Sequence, residues 1–259
     1  MDGTASHISS SDLYSRLGTA AAPMLLDVRR DDAFNSDSGQ IIGAVRRSPG
    51  EVERWSGDLA SNRPVVAYCV HGHEVSQGVA ASLQRAGFEA SYLEGGMAGW
   101  KKSGLPTRKK LGGRENKWVT REHPKIDRIA CPWLISRFIN PLATFIYVPA
   151  DQVVAVGEKE GATPYDIKNA EFGHVGDQCS FDAIIRIFEI KDPALDRLAT
   201  IVRGADTSRP DLTPQGEGLL AISYGLSANY PDDHEMLKHG LVIYDALYTW
   251  CRLQLARAR

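Results

Sequence analysis

An α/β fold built on a mostly parallel sheet with helices on both faces, followed by a second, mainly α-helical domain, is what this 259-residue sequence predicts. Three observations lead there. Short apolar, β-branched runs alternate with helical patterns in the first part of the chain, as in a covered parallel sheet. A stretch rich in glycine, lysine and arginine then breaks the alternation. Beyond it the apolar residues recur mostly at helical spacing, with one clear strand.

Ser9 to Leu17 reads as an opening helix, with cap candidates at its start and a stripe of Leu13, Tyr14 and Leu17. Met24 to Val28 is a strand, Arg30 to Ser38 a charged surface loop, and Ile41 to Val45 a second strand. Pro49 to Asp58 reads as helical, with Val52 and Trp55 facing inward. Val65 to Tyr68 is a short buried strand, and Glu74 to Ala86 a helix with Val75, Val79, Ala80 and Leu83 on one face. Ala90 to Leu93 and Met97 to Ser103 supply a further strand and a short helix. Ligands of such sheets bind beyond the carboxyl ends of the strands, and Cys69 lies at one of them.

Lys101 to Lys117 carries seven basic residues among glycines and a proline, without apolar spacing. It reads as a solvated linker, with a basic patch for an acidic partner as the other reading. The expected domains are therefore 1–105 and 118–259, joined by a linker at 106–117. In the second, helices are expected at Pro132 to Phe138 (with Pro132 in its first turn), Ala150 to Glu158, Ser180 to Phe188 (capped by Ser180), from Asp192-Pro193 to Gly204, Pro214 to Leu226 and Pro231 to Ala256. Thr144 to Val148 is its strand.

Composition narrows the function. A formal net charge of −2 carries no nucleic-acid signature. No apolar run is long enough to span a bilayer, and Met1 to Ser15 lacks the apolar core of a signal peptide. Cys69, Cys131, Cys179 and Cys251 are scattered without a CxxC, which fits a reducing cytoplasm better than a disulfide scaffold.

A thiolate placed between a strand end and a helix N-terminus is stabilised by unpaired N–H groups and the helix dipole. The bland reading of a lone cysteine is a buried, inert thiol. Four segments in order weigh against that for Cys69: Leu25-Leu26-Asp27-Val28-Arg29, Gly39-Gln40-Ile41-Ile42-Gly43-Ala44, the Cys69-Val70-His71-Gly72-His73-Glu74 turn, and Tyr92-Leu93-Glu94-Gly95-Gly96-Met97-Ala98-Gly99-Trp100. Together they resemble the rhodanese family of sulfurtransferases, with Gln40 where histidine is usual. The resemblance implies a persulfide on Cys69, formed from a sulfane-sulfur donor and passed to a thiol acceptor, with no cofactor required. The backbone of Val70, His71, Gly72, His73, Glu74 and Val75 would cradle the donor. Glu74 stands where an arginine is common, and the loop holds no Lys or Arg; a carboxylate there opposes both the thiolate and a dianion such as thiosulfate. His71 and His73 either offset this when protonated or are exposed polar loop residues. Asp27 and Arg29 are expected to pair behind the loop.

In the second domain, Pro124-Lys125-Ile126-Asp127-Arg128-Ile129-Ala130-Cys131-Pro132-Trp133, His174-Val175-Gly176-Asp177-Gln178-Cys179-Ser180-Phe181-Asp182, Val202-Arg203-Gly204-Ala205-Asp206-Thr207 and Asp232-Asp233-His234 are similar to the ChrB type of chromate-resistance protein. The resemblance implies a process, chromate resistance, more than a reaction. Arg128 at a helix start can receive a tetrahedral oxyanion such as chromate, or it belongs to a structural ion pair. Asp182 and Asp245, inside apolar helical runs, must find partners or shift their pKa. His174 and His234 are expected to approach each other and hold a divalent metal such as zinc, with Cys179 near; the other reading has them bonding helix ends apart from each other. A regulatory or sensor protein, in which the first domain only binds, is the alternative to the enzyme.

Overall fold

The computed structural model describes residues 6–60 and 62–257, so residues 1–5 and 258–259, at the outer ends of the expected domains, lie outside the described part. It divides into two compact units, Met1–Lys110 and Leu111–Arg259.

The first unit runs β1 (His7–Ile8), α1 (Ser10–Arg16), β2 (Met24–Asp27), α2 (Asp31–Ser36), β3 (Gly39–Ile41), β4 (Ala44–Arg46), α3 (Val52–Trp55), β5 (Val65–Tyr68), α4 (Glu74–Arg85), β6 (Ala90–Leu93), α5 (Gly96–Lys102) and β7 (Thr107–Lys109). Five strands form a wholly parallel sheet in the order β1-β6-β5-β2-β4. Parallel neighbours require crossovers, and the intervening helices supply them. On one face Met24, Leu26, Val28, Val65 and Ala67 pack with Trp55 before α4's Val79 and Leu83. Leu25 and Val66 alternate to the opposite face and are equally buried, so both faces are covered.

Three local readings change. The charged stretch after Val28 contains the short helix α2, whose first turn holds Asp31 and Asp32 at the positive end of its dipole. The strand expected over Ile41 to Val45 is two strands, separated at Gly43, which has φ +69°. The segment read as a linker contains β7, which pairs antiparallel with β3 through Gly39–Lys109 and Ile41–Thr107.

The second unit contains β8 (Lys117–Arg121), α6 (Asp127–Leu134), β9 (Thr144–Val148), α7 (Val153–Glu160), β10 (Thr163–Pro164), α8 (Ser180–Ile187), α9 (Pro193–Asp206), α10 (Gln215–Asn229) and α11 (Asp233–Arg257). It is mainly helical, as the sequence predicts, but it also carries a three-stranded parallel sheet in the order β10-β8-β9. Strand β8 escapes the pattern because it is only five residues long, with the run Trp118-Val119-Thr120 between two charged residues. Helix α6 begins at Asp127, five residues before the expected start, so Pro132 lies inside it and offers no N–H to the carbonyl of Arg128. A π-helical turn over Ile135–Ile139 follows. Helix α8 is capped by Cys179, with Ser180 as its first residue. Asp192 caps α9 through the N–H groups of Ala194 and Leu195.

Helix α11 packs on α6 and α9, and α8 packs on α6 and α9 as well. Trp133 of α6 lies at the centre, its ring touching those of Phe138, Phe181, Tyr244 and Tyr248. The two carboxylates in apolar runs have found partners. Asp182 accepts from Arg203 Nε and Nη2, at 3.0 and 3.1 Å. Asp245 accepts from Arg137 and from the indole N–H of Trp133, each at 2.8 Å. No helix among the described residues is long and apolar enough to cross a membrane.

Candidate functional sites

In the first unit the chain leaves β5 at Tyr68, turns through Cys69 to His73, and enters α4 at Glu74. Gly72 makes the turn with φ +73° and lies against the turn before α5, where an added Cβ would meet the carbonyl of Leu93 at 2.5 Å. Gly96 faces it with φ +54°, and a Cβ there would meet Cys69 O at 2.5 Å. Gly72 and Gly96 are thus demanded by close approach of two backbones. Helix α5 completes the support: its Met97 and Ala98 N–H groups donate to the carbonyls of Cys69 and Val70, both at 2.9 Å.

Cys69 is 6% exposed, an edge position rather than a sealed one. Burial pushes its thiol up, but the Ser76 hydroxyl and the backbone N–H groups of Ser76, His71 and His73 outweigh that and hold it below the usual value. The Ser76 hydroxyl donates to Sγ at 3.2 Å, from a buried position in the first turn of α4. The loop N–H groups therefore converge on sulfur, an arrangement that accepts negative charge. His71 and His73 are exposed, with rings 6.0 Å apart; Glu74 is exposed, and Val70 and Val75 are half-buried. Behind the loop Arg29 grips Asp27 with Nε at 2.9 Å and Nη2 at 2.6 Å, and reaches Asp37 at 2.9 Å. The Tyr68 hydroxyl donates to Asp27 at 2.8 Å, tying β5 to β2 just before the cysteine. Burial and Asp27 push that hydroxyl's pKa well up, so it stays a donor. A groove of about 760 Å³ between the Pro49–Glu51 turn, α3 and the end of α4 is lined by Arg54, Ser82 and Arg85 but not by the thiol.

In the second unit the structure gathers a different set from the expected pair. His174 Nε2 lies 3.1 Å from Asp206 Oδ2, 3.4 Å from Asp166 Oδ1 and 3.5 Å from Asp127 Oδ2. Asp127 is fully buried at the start of α6, and its carboxylate accepts from the Ser180 and Phe181 N–H groups of α8. Ile126 before it has φ +42°, unusual for a β-branched residue, and Asp166 has φ +51°. Asp166 Oδ1 accepts from Ser180 Oγ at 3.1 Å, while Oδ2 meets Arg121 Nη2 at 3.0 Å and Arg128 Nε at 3.2 Å.

His234 does not share this group. It is exposed in the first turn of α11, its ring 5.3 Å from that of Tyr147. The start of α11 is held elsewhere, with Asp233 accepting from the His123 N–H. The inference from a shared core fails because a common packing partner fixes helix faces, not which helix ends meet. Arg128 makes structural contacts here: its Nε meets Asp166, and its Nη1 donates to the carbonyls of Arg121 and Glu122. Cys179 is sealed, and burial pushes its thiol and that of Cys131 up, helped in both by Asp127.

Charge at this site is crowded. The His174 imidazole, hydrogen-bonded to Asp127 and Asp166, is raised to about 10. Burial and the charges of Asp127 and Asp166 raise Asp206 to about 7, and burial also raises Asp127. Asp166 alone is held low, because His174, Arg121 and Arg128 outweigh its burial. A cavity of about 550 Å³, lined by Arg121, Asp166, Lys168, Asn169 and His174, opens onto the group. Ser76, Asp166 and Asp206 were not singled out from the sequence. Asp206 does lie in the Val202-Arg203-Gly204-Ala205-Asp206-Thr207 motif, whereas nothing in the spacing marks Asp166.

Residues 118–251 match the family model of the ChrB C-terminal domain, and residues 9–103 that of the rhodanese-like domain. The chain is 31% identical over 146 residues to "Protein ChrB" of Cupriavidus metallidurans, a match covering 56% of this chain and 44% of that protein. It thus spans less than half the length of that relative. It is 32% identical over 95 residues to the thiosulfate sulfurtransferase GlpE of Shewanella oneidensis, covering 36% of this chain and 90% of that protein. A solved rhodanese-related protein of Thermoplasma volcanium is 25% identical, with a TM-score of 0.35, covering 39% of this chain and 96% of that one.

Proposed function

Because the chain belongs to the family of the ChrB C-terminal domain and opens with a member of the rhodanese-like family, we propose that it is a sulfurtransferase working in chromate resistance, with Cys69 as its nucleophile. The observation that carries the reading is the convergence of the Ser76 hydroxyl and three backbone N–H groups on Cys69 Sγ, which holds the thiol below its ordinary range. In the first step the Cys69 thiolate attacks the sulfane sulfur of the donor. For thiosulfate the S–S bond breaks, sulfite departs with the electron pair, and a Cys69 persulfide remains. An acceptor thiolate then attacks the outer sulfur, forming its own persulfide and returning Cys69 as thiolate. The N–H groups of the turn would hold the donor's negative charge in the first step.

A second reading rests on one observation: the loop carries Glu74 at its end and no Lys or Arg. In it the first unit binds a sulfur-containing ligand without turning it over, and the chain reports on oxyanion or metal through its second unit. The four cysteines are free thiols, which supports a reducing, cytoplasmic setting for either reading.

Intact-mass measurement of the full chain after incubation with thiosulfate and with a polysulfide tests the proposal. The expected product is a single 32 Da adduct, one sulfur atom on Cys69, lost on adding a thiol and absent in Cys69→Ser. A Cys69→Ser protein that transfers sulfur at the parent rate, or a parent that takes up none from either donor, would refute it.

A further inference from the structure

We propose that the second unit holds a divalent first-row transition ion between Asp127, Asp206 and His174, with the Asp166 carboxylate beside it. The three proposed ligand atoms come from separate elements: the start of α6, the end of α9, and the loop before α8. They nevertheless lie within 4.8 Å of one another.

The ligand atoms are close enough to share one ion. Ligand atoms bonded to one ion at about 2.1 Å, at angles between about 90° and about 110°, sit about 3.0–3.4 Å apart. The His174 Nε2 distance to Asp206 Oδ2, 3.1 Å, lies in that range, and the distance to Asp127 Oδ2, 3.5 Å, is just beyond it.

The charges point the same way. Both guanidinium groups in reach, Arg121 and Arg128, are directed to Asp166 Oδ2. Asp127 and Asp206 are left with one imidazole between them, and a single Nε2–H cannot serve both carboxylates and Asp166 Oδ1 at once. A dication held by neutral His174 and two carboxylates balances the local charge without altering the arginine pairs. Outer partners are in place for two of the carboxylates. Asp127 is fixed by the N–H groups of α8, and Ser180 Oγ fixes Asp166 Oδ1. The imidazole, 43% exposed, forms the solvent side of the group, and the adjoining cavity gives an ion its entry path. Carboxylate oxygens with one imidazole nitrogen suit manganese or zinc rather than copper(I), which seeks sulfur. The nearby thiols of Cys131 and Cys179 are sealed away and take no part.

The test uses the full-length chain without a polyhistidine tag, stripped with chelator. Mn²⁺ binding is followed by loss of the free ion's six-line paramagnetic resonance signal, and Zn²⁺ binding by calorimetry. One ion per chain is expected, with affinity reduced at least tenfold in His174→Ala and in Asp206→Asn, and unchanged in His234→Ala. Cys69→Ser should bind like the parent, so failure of the sulfur-transfer reading leaves this result intact. A parent that takes up neither ion at millimolar concentration overturns the proposal and leaves an imidazolium–carboxylate network. Parent-like binding in both the His174 and Asp206 variants overturns it as well. Asp206→Asn preserves shape, and if either variant fails to fold the parent stoichiometry and the other variant decide.

Discussion

Replacing Ser76 by alanine removes the hydroxyl that donates to Cys69 Sγ at 3.2 Å and leaves the backbone N–H groups of the turn in place. A hydrogen bond to a charged group contributes about 1.5–3 kcal/mol, and the soft sulfur acceptor and long separation put this one at the lower end. About 1.4 kcal/mol is one pKa unit, so the Ser76→Ala thiol should titrate about one unit higher. Where the thiol is mostly protonated, the thiolate fraction falls about tenfold. Intrinsic nucleophilicity rises with pKa along a Brønsted slope of about 0.4–0.5, recovering about a factor of three. The net expectation is an alkylation rate reduced about threefold below the midpoint, with a plateau about threefold higher above it. Rates of iodoacetamide modification across pH give both numbers. The other thiols do not interfere: Cys131, Cys179 and Cys251 are buried, and burial raises Cys251 to about 11. An unshifted midpoint in a folded Ser76→Ala protein would mean that the loop N–H groups alone set the thiolate, and the reasoning from Ser76 would be wrong.

Two further outcomes follow from the same contacts. Glu74→Arg places a cation at the first residue of α4; with the side chain exposed and screened beyond about 8 Å, the KM for thiosulfate should fall about threefold, and an unchanged KM would place Glu74 outside the donor's field. Arg203→Met leaves the buried Asp182 with only the Cys179 backbone N–H and thiol, at 3.1 and 3.4 Å. Because Arg203 is 27% exposed, the loss in urea unfolding should be about 2 kcal/mol rather than the larger cost of a sealed pair, and a change under about 0.5 kcal/mol would show that solvent replaces the arginine.

The chemistry-bearing turn of the first unit was legible in the sequence because it is local. Proline, apolar run, cysteine, glycine and helix follow one another within a few residues, and steric and capping rules act at that range. Asp192 before Pro193 and the apolar stripe of α4 were legible for the same reason. Ser76 was hidden only by its type, since a serine in a helical first turn is ordinarily a solvated or capping residue. The second site was not legible. Asp127, Asp166, His174 and Asp206 are separated by 39, 8 and 32 positions along the chain, and no periodicity relates them. They meet because α6, α8 and α9 pack around a shared core while β8 and β10 carry the Asp166 loop alongside. The sequence determined which residues would need partners: a histidine among motif residues, and carboxylates inside apolar runs. Tertiary packing alone decided that His174 would face three aspartates and that His234 would face Tyr147, because helix ends are positioned by the whole core and not by the residues that occupy them.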